Sequence, residues 1–160
     1  MNSGILPMLL LCATLALALA LAPARIGWLG LAAMVAGALL MSMVPLPADL
    51  SDAIFIGLWL SVVVTAVLTY VPRNFADPVM IPAGLNAGAW VGALASVSDM
   101  RGSLLPALAA GLLLIPARRF TLHGYHIVIK VIASWMIAIG LLSTFVSLMP
   151  TPGYKPDHME

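Results

Sequence analysis

Residues 81–99, IPAGLNAGAWVGALASVSD, read as a membrane-spanning helix with little bulky surface of its own. Gly84, Gly88, Gly92 and Ser96 recur every fourth residue. That small-xxx-small spacing lets two helix backbones approach closely in lipid, where van der Waals packing takes over from the hydrophobic effect as the drive for association. At 100° per residue, Asn86, Trp90, Ala93 and Val97 fall on the other side. One face is built for close packing and the other carries an amide and an indole, so this helix is expected among neighbours, with the rest of the chain wrapped around it.

The composition agrees with such a setting. Hydrophobic residues make up 62% of the chain and charged residues 8%, with a mean hydropathy of +1.10, whereas about a quarter of residues are charged in soluble domains. A polytopic all-α membrane protein follows, as one integral domain over residues 1–160, with no length left for a soluble domain beside it. The formal net charge is +1, and no basic run is long enough for the clustered phosphate contacts that nucleic acid demands. A single cysteine, Cys12, rules out an intrachain disulfide and a cysteine-based metal cluster.

Apolar runs of about 17 to 25 residues mark spans at 5–22, 26–44, 53–71, 79–98 and 127–149. A sixth, 103–117, would cover only about 22 Å as a helix and is expected either to span with help from its flanks or to be re-entrant. Arg101 and Arg118 bracket it as charges bracket a crossing helix. Residues 150–160 form a short polar tail. The first run resembles a signal peptide at ALALALAPA, but it lacks a cationic start and its apolar stretch is long for one, so a retained helix is expected. Lys and Arg counting puts Arg25, Arg73, Arg118, Arg119 and Lys130 on the inner side against Arg101 and Lys155 outside. Both termini are therefore expected outside. Five of the six acids fall on that outer side, Asp77 being the exception. LAPAR, VPR and LIPAR each close an odd-numbered span, a recurrence that fits three parallel hairpins and equally fits the ordinary use of proline and arginine at helix ends.

Polar residues within spans are few. Gly57, Ser61, Thr65 and Thr69 are spaced by four in the third span. His126, Lys130, Ala133, Ile137, Gly140, Thr144 and Ser147 alternate steps of four and three in the last, the spacing of a helix-packing seam. Asn86, Trp90, Ser61, Thr65 and Thr144 would together line a polar pathway. The hydroxyls are also accounted for by bonds to their own helix carbonyls, whereas the amide of Asn86 has four hydrogen-bonding positions to satisfy. Arg118, Arg119 and Lys130, near His123 and His126, would contact an anion or a lipid headgroup or simply anchor the inner face. Two histidines fall short of the three or four ligands of a usual metal site.

No Asp, Glu or His lies mid-span, so neither an intramembrane proton relay, nor hydrolysis by a buried triad, nor a bis-histidine haem is supported. Phosphate-binding glycine loops are missing as well. No catalytic residue, metal site or cofactor is expected. The sequence points to a permease or channel-like transport component for a small solute in a bacterial inner (cell) membrane. The alternative is a non-catalytic accessory or assembly subunit of a larger membrane complex. Its partners are the bilayer and further copies or other membrane subunits, with no nucleic acid. A reporter fused after Glu160 is expected to report the outer side, and a cytoplasmic reporter would overturn the orientation.

Overall fold

The computed structural model describes residues 5–97 and 104–148, all of whose regular structure is helical. The helices are α1 (Ile5–Leu21), α2 (Ala24–Ser42), α3 (Ser51–Val67), the single turn α4 (Arg73–Ala76), α5 (Met80–Val97), α6 (Leu104–Ala110), α7 (Leu114–Leu122) and α8 (His126–Leu148). Three-residue 3₁₀ turns precede α3 and α5 and separate α6 from α7. Among the described residues, four stretches are long and apolar enough to cross a membrane: Ala24–Ser42, Ala48–Val67, Asn74–Val97 and Ile127–Leu148. The expected tail at 150–160 lies outside the described residues, as do Asp99, Arg101, Lys155 and the outer ends of three expected spans at 98, 103 and 149.

Local chemistry sets the boundaries. Pro23 has no N–H and disfavours helical backbone at Ala22, so α1 stops at Leu21 and α2 begins immediately after Pro23, where Gly27 N–H reaches the Pro23 carbonyl at 2.9 Å. Asp49 and Asp52 stand in the first turns leading into α3, where the positive end of the helix dipole favours them. Helix α7 closes with Gly124 at φ +83°. There Tyr125 N–H bonds the Phe120 carbonyl and Gly124 N–H bonds the Thr121 carbonyl, the paired arrangement that terminates helices through a left-handed glycine.

The expected fifth span differs from the structure in one informative way. LIPAR does not end a helix. Pro116 lies in the first turn of α7, where a proline is tolerated. It cannot donate to the Leu112 carbonyl and its ring crowds that group, so the chain ahead tightens into the 3₁₀ turn at Gly111–Leu113. The helical path then continues past residue 117 to Leu122. All three pieces lie along α1, with Thr121 Oγ1 reaching the Ala20 carbonyl at 3.4 Å. Because Arg118 lies by Gly27 and Gly111 by Leu31 and Met34, the segment runs antiparallel to α2 and hence parallel to α1.

The centre of the bundle is α1 rather than the α5 helix that the sequence put there. Met8, Leu11, Cys12, Leu15, Ala18 and Leu19 are fully buried, and α1 touches α2, α3, α5, α6, α7 and α8. Its one polar side chain, Thr14, turns back on the Leu10 carbonyl at 2.6 Å. The middle of the bundle is therefore a dry apolar helix.

The most extensive helix contact is α2 on α5, and glycine makes it. A Cβ on Gly84 would stand 2.2 Å from the Gly30 carbonyl oxygen, on Gly88 2.0 Å from that of Met34, and on Gly92 2.3 Å from that of Ala38. Three successive turns thus meet backbone to backbone, with matching order along both chains, so the two helices run parallel. Helix α8 packs mainly on α3 in the opposite sense. Gly140 sits against Val63 and Trp59, and the Tyr70 hydroxyl donates to the Lys130 carbonyl. These contacts together gather the C-terminal ends of α1, α3 and α7 and the N-terminal ends of α2, α5 and α8 at one end of the bundle.

Gly88→Leu should cost far more folded protein than Leu39→Ala, because the former forces backbones apart at a seam with no room, while Leu39 is 47% exposed. The check is folded yield after extraction into mild detergent; equal yields would refute the close-packing account.

Candidate functional site

The glycine face of α5 fixes what the rest of α5 can do. Asn86 lies two residues from both Gly84 and Gly88, hence about 200° round the helix from either, and its side chain points away from α2 toward α3. There Asn86 Nδ2 donates to Ser61 Oγ at 2.6 Å. Ser61 is buried, whereas Asn86 is exposed. The bond uses one of the two amide N–H groups and leaves the other, with the carbonyl oxygen, unengaged by any described residue. Asn86 stands about 9 Å along the axis from Met80, close to the middle of α5.

Two cavities flank this bond. One, of about 440 Å³, is lined by Gly57, Leu60, Ser61, Val64, Thr65, Leu68, Val79, Pro82, Ala83, Asn86 and Trp90. The other, of about 410 Å³, is lined by Met41, Leu46, Leu50, Ala53, Ile54, Asn86, Ala89, Trp90 and Ala93. The first lies toward the end of the bundle that holds Leu68 and Val79, the second toward the end that holds Leu46 and Leu50. They share Asn86 and Trp90, so the two side chains form a partition across one long groove on the flank of the bundle. The Trp90 ring can lie there because Gly57 presents no side chain: a Cβ would be 2.4 Å from the ring.

Of the residues the sequence offered for a polar pathway, Ser61, Thr65, Asn86 and Trp90 come together in this groove. Thr144 does not. It lies on α8, bonds its own Gly140 carbonyl at 2.8 Å, and lines neither chamber. Gly140 of the α8 seam packs on Val63 and Trp59, on the opposite flank of α3.

The basic residues also separate. Lys130 borders a cavity of about 350 Å³ with Thr69, Tyr70 and Asp77. Arg119 borders a different one of about 310 Å³ with Phe120, His123 and Tyr125, where His123 Nδ1 donates to the Arg119 carbonyl at 2.7 Å. Arg118 folds toward the α1–α2 junction, its Nη1 buried without a partner among the described residues and 3.3 Å from the position of a Gly27 Cβ. They share an end of the bundle, but among the described residues Lys130 and Arg119 border different cavities. Among the described residues no group of three or more His, Cys, Asp or Glu could hold a metal ion.

Sequence reasoning missed Gly57 as the seat of Trp90, and it missed the second chamber, whose walls come partly from the loop between α2 and α3. No family model, curated protein or solved structure matches the chain.

A double-mutant cycle on Ser61→Ala and Asn86→Leu should give a coupling of roughly 0.6 kcal/mol and no more than about 1.7, read as the shift in reversible unfolding in mixed micelles. Thr144→Val combined with Asn86→Leu should be additive within about 0.5 kcal/mol. Coupling at Thr144 comparable to that at Ser61 would contradict the separation of the two.

Proposed function

We propose that the chain crosses the bilayer six times, with both termini on the outer side, and serves as a non-catalytic transport component that holds a small solute in the groove between α3 and α5. Six crossings are supported by the alternating direction of α1, α2, α3, α5, the α6–α7 segment and α8. α1 and the α6–α7 segment count as crossings although they do not match the longer apolar helices in length. The helix ends that carry Arg25, Arg118, Arg119 and Lys130 lie together, as the inner ends of a bundle should.

One observation carries the functional reading: an amide near the middle of α5 is exposed in a groove and only partly hydrogen-bonded. Hydrocarbon offers nothing to complete it, and polar groups at this depth are costly unless they do something. A route through the axis is disfavoured by the apolar α1 that fills it. The groove is therefore entered from the side.

A specific feature of α8 favours the second reading, an accessory subunit. Trp135 sits near the middle of that helix and is 68% exposed, whereas membrane tryptophans concentrate at the interfaces; a partner subunit against α8 would cover it.

Cysteine accessibility separates the two. With Cys12 replaced by Ala, Ala83→Cys lines the first chamber and Ala38→Cys lies in the sealed α2–α5 seam. The transport reading expects Ala83→Cys in native membranes to react with a small methanethiosulfonate at least tenfold faster than Ala38→Cys. If Ala83→Cys is inert in native membranes but reactive once purified, a partner fills the groove and the accessory reading replaces this one.

A further inference from the structure

The lining of the groove narrows what it takes. Among the described residues that line them, neither chamber has a charged side chain. Of those lining residues, the hydrogen-bonding side chains are Ser61, Thr65, Asn86 and the indole of Trp90 in the first chamber, and Asn86 and Trp90 in the second. An ion entering such a space would leave its charge unpaired in apolar surroundings, at a cost no single amide offsets. An alkane-like molecule would leave the free N–H and carbonyl of Asn86 unsatisfied, as lipid does. The groove opens on the flank, among the exposed side chains of Leu60, Val64 and Leu85, so its supply is the bilayer itself.

Resting on the transport reading above, we propose that the ligand is an uncharged, mainly apolar molecule carrying a carbonyl or hydroxyl, which enters from the bilayer and bonds Asn86 beside the Trp90 ring. Each chamber, at about 440 and 410 Å³, is within the range that small-molecule sites occupy. Trp90 sets the boundary between them. A compact ligand occupies one chamber, and a longer one must displace the indole from its seat on Gly57. Asn86 supplies the directional bond, and the apolar walls supply the rest of the affinity.

The probe is menadione, an uncharged two-ring diketone, compared with its anionic bisulfite adduct. Binding is read from tryptophan fluorescence of the full chain in phosphatidylcholine nanodiscs, against the Trp90→Phe variant and empty nanodiscs. Menadione should quench saturably in the wild type, and the saturable part should vanish in Trp90→Phe. Asn86→Leu should weaken it about tenfold, as expected for one hydrogen bond made in apolar surroundings. The Thr144 side chain bonds its own helix and lies outside both chambers, so Thr144→Val should bind as wild type does. Asn86→Leu should keep the wild-type helix signal and unfolding transition, which guards against reading a folding defect as lost affinity. The bisulfite adduct should not bind.

Equal binding of the adduct, or unchanged affinity in Asn86→Leu, would overturn the proposal. Non-saturable uptake matching empty nanodiscs would overturn it too. In that last case a reactive Ala83→Cys would leave the groove reading standing and discard only the ligand class, whereas an inert one would remove both.

Discussion

Everything that gives this molecule a usable surface depends on the backbone contact between α2 and α5. In lipid, two apolar helices gain nothing from hiding their side chains from each other, so association relies on how closely the backbones approach. Gly84, Gly88 and Gly92 let α5 settle on the carbonyls of Gly30, Met34 and Ala38 over three turns. That fit admits one rotation of α5 about its axis. The rotation then decides that Asn86 and Trp90 face α3, where Ser61 meets the amide and Gly57 receives the indole. The glycine face has no chemistry of its own, yet it aims the face that has.

Helix α1 completes the constraint from the inside. It is enclosed by the other main helices and carries no polar group that turns outward from its own backbone. Among the described residues the axis is filled by this helix, and the polar side chains that reach a cavity lie on the flanks. This explains why the polar residues of α3 and α8 do not converge. Ser61 and Thr65 face the α5 side of α3, whereas the opposite side is covered by α8 at Gly140.

Much of the helix content was legible from apolar run length, and the α5 glycine face from a clean period of four. Its partner was harder to see. Gly27, Gly30 and Gly37 follow no single spacing, and Met34 and Ala38 contribute carbonyls to the seam, which no side-chain pattern signals. The central place of α1 had a signal in its all-round apolar character, the mark of an enclosed helix, but charge and polar residues drew attention elsewhere. At Pro116 the same residue type serves as a stop or as a first-turn residue, and only the packing of α7 along α1 decides between them. Within the site, Asn86 and Ser61 stood out as polar groups inside spans. Their pairing across 25 residues is a product of helix rotation, which the sequence of either helix alone does not encode. Thr144 shows the converse: a hydroxyl in a regular seam that satisfies itself on its own helix.

The parallel, glycine-mediated contact of α2 with α5 sets the orientation of Asn86, and a distance across it can be measured in lipid. With methionine carbonyls and glycine Cα atoms isotopically labelled, magic-angle-spinning NMR should show a dipolar contact between the Met34 carbonyl carbon and Gly88 Cα. The 2.8 Å between that carbon and the position of a Gly88 Cβ places the pair within about 4.5 Å. A clear cross-peak at that range is the predicted result. A separation beyond about 7 Å, as for helices held apart by side chains, would contradict the seam and with it the orientation of Asn86.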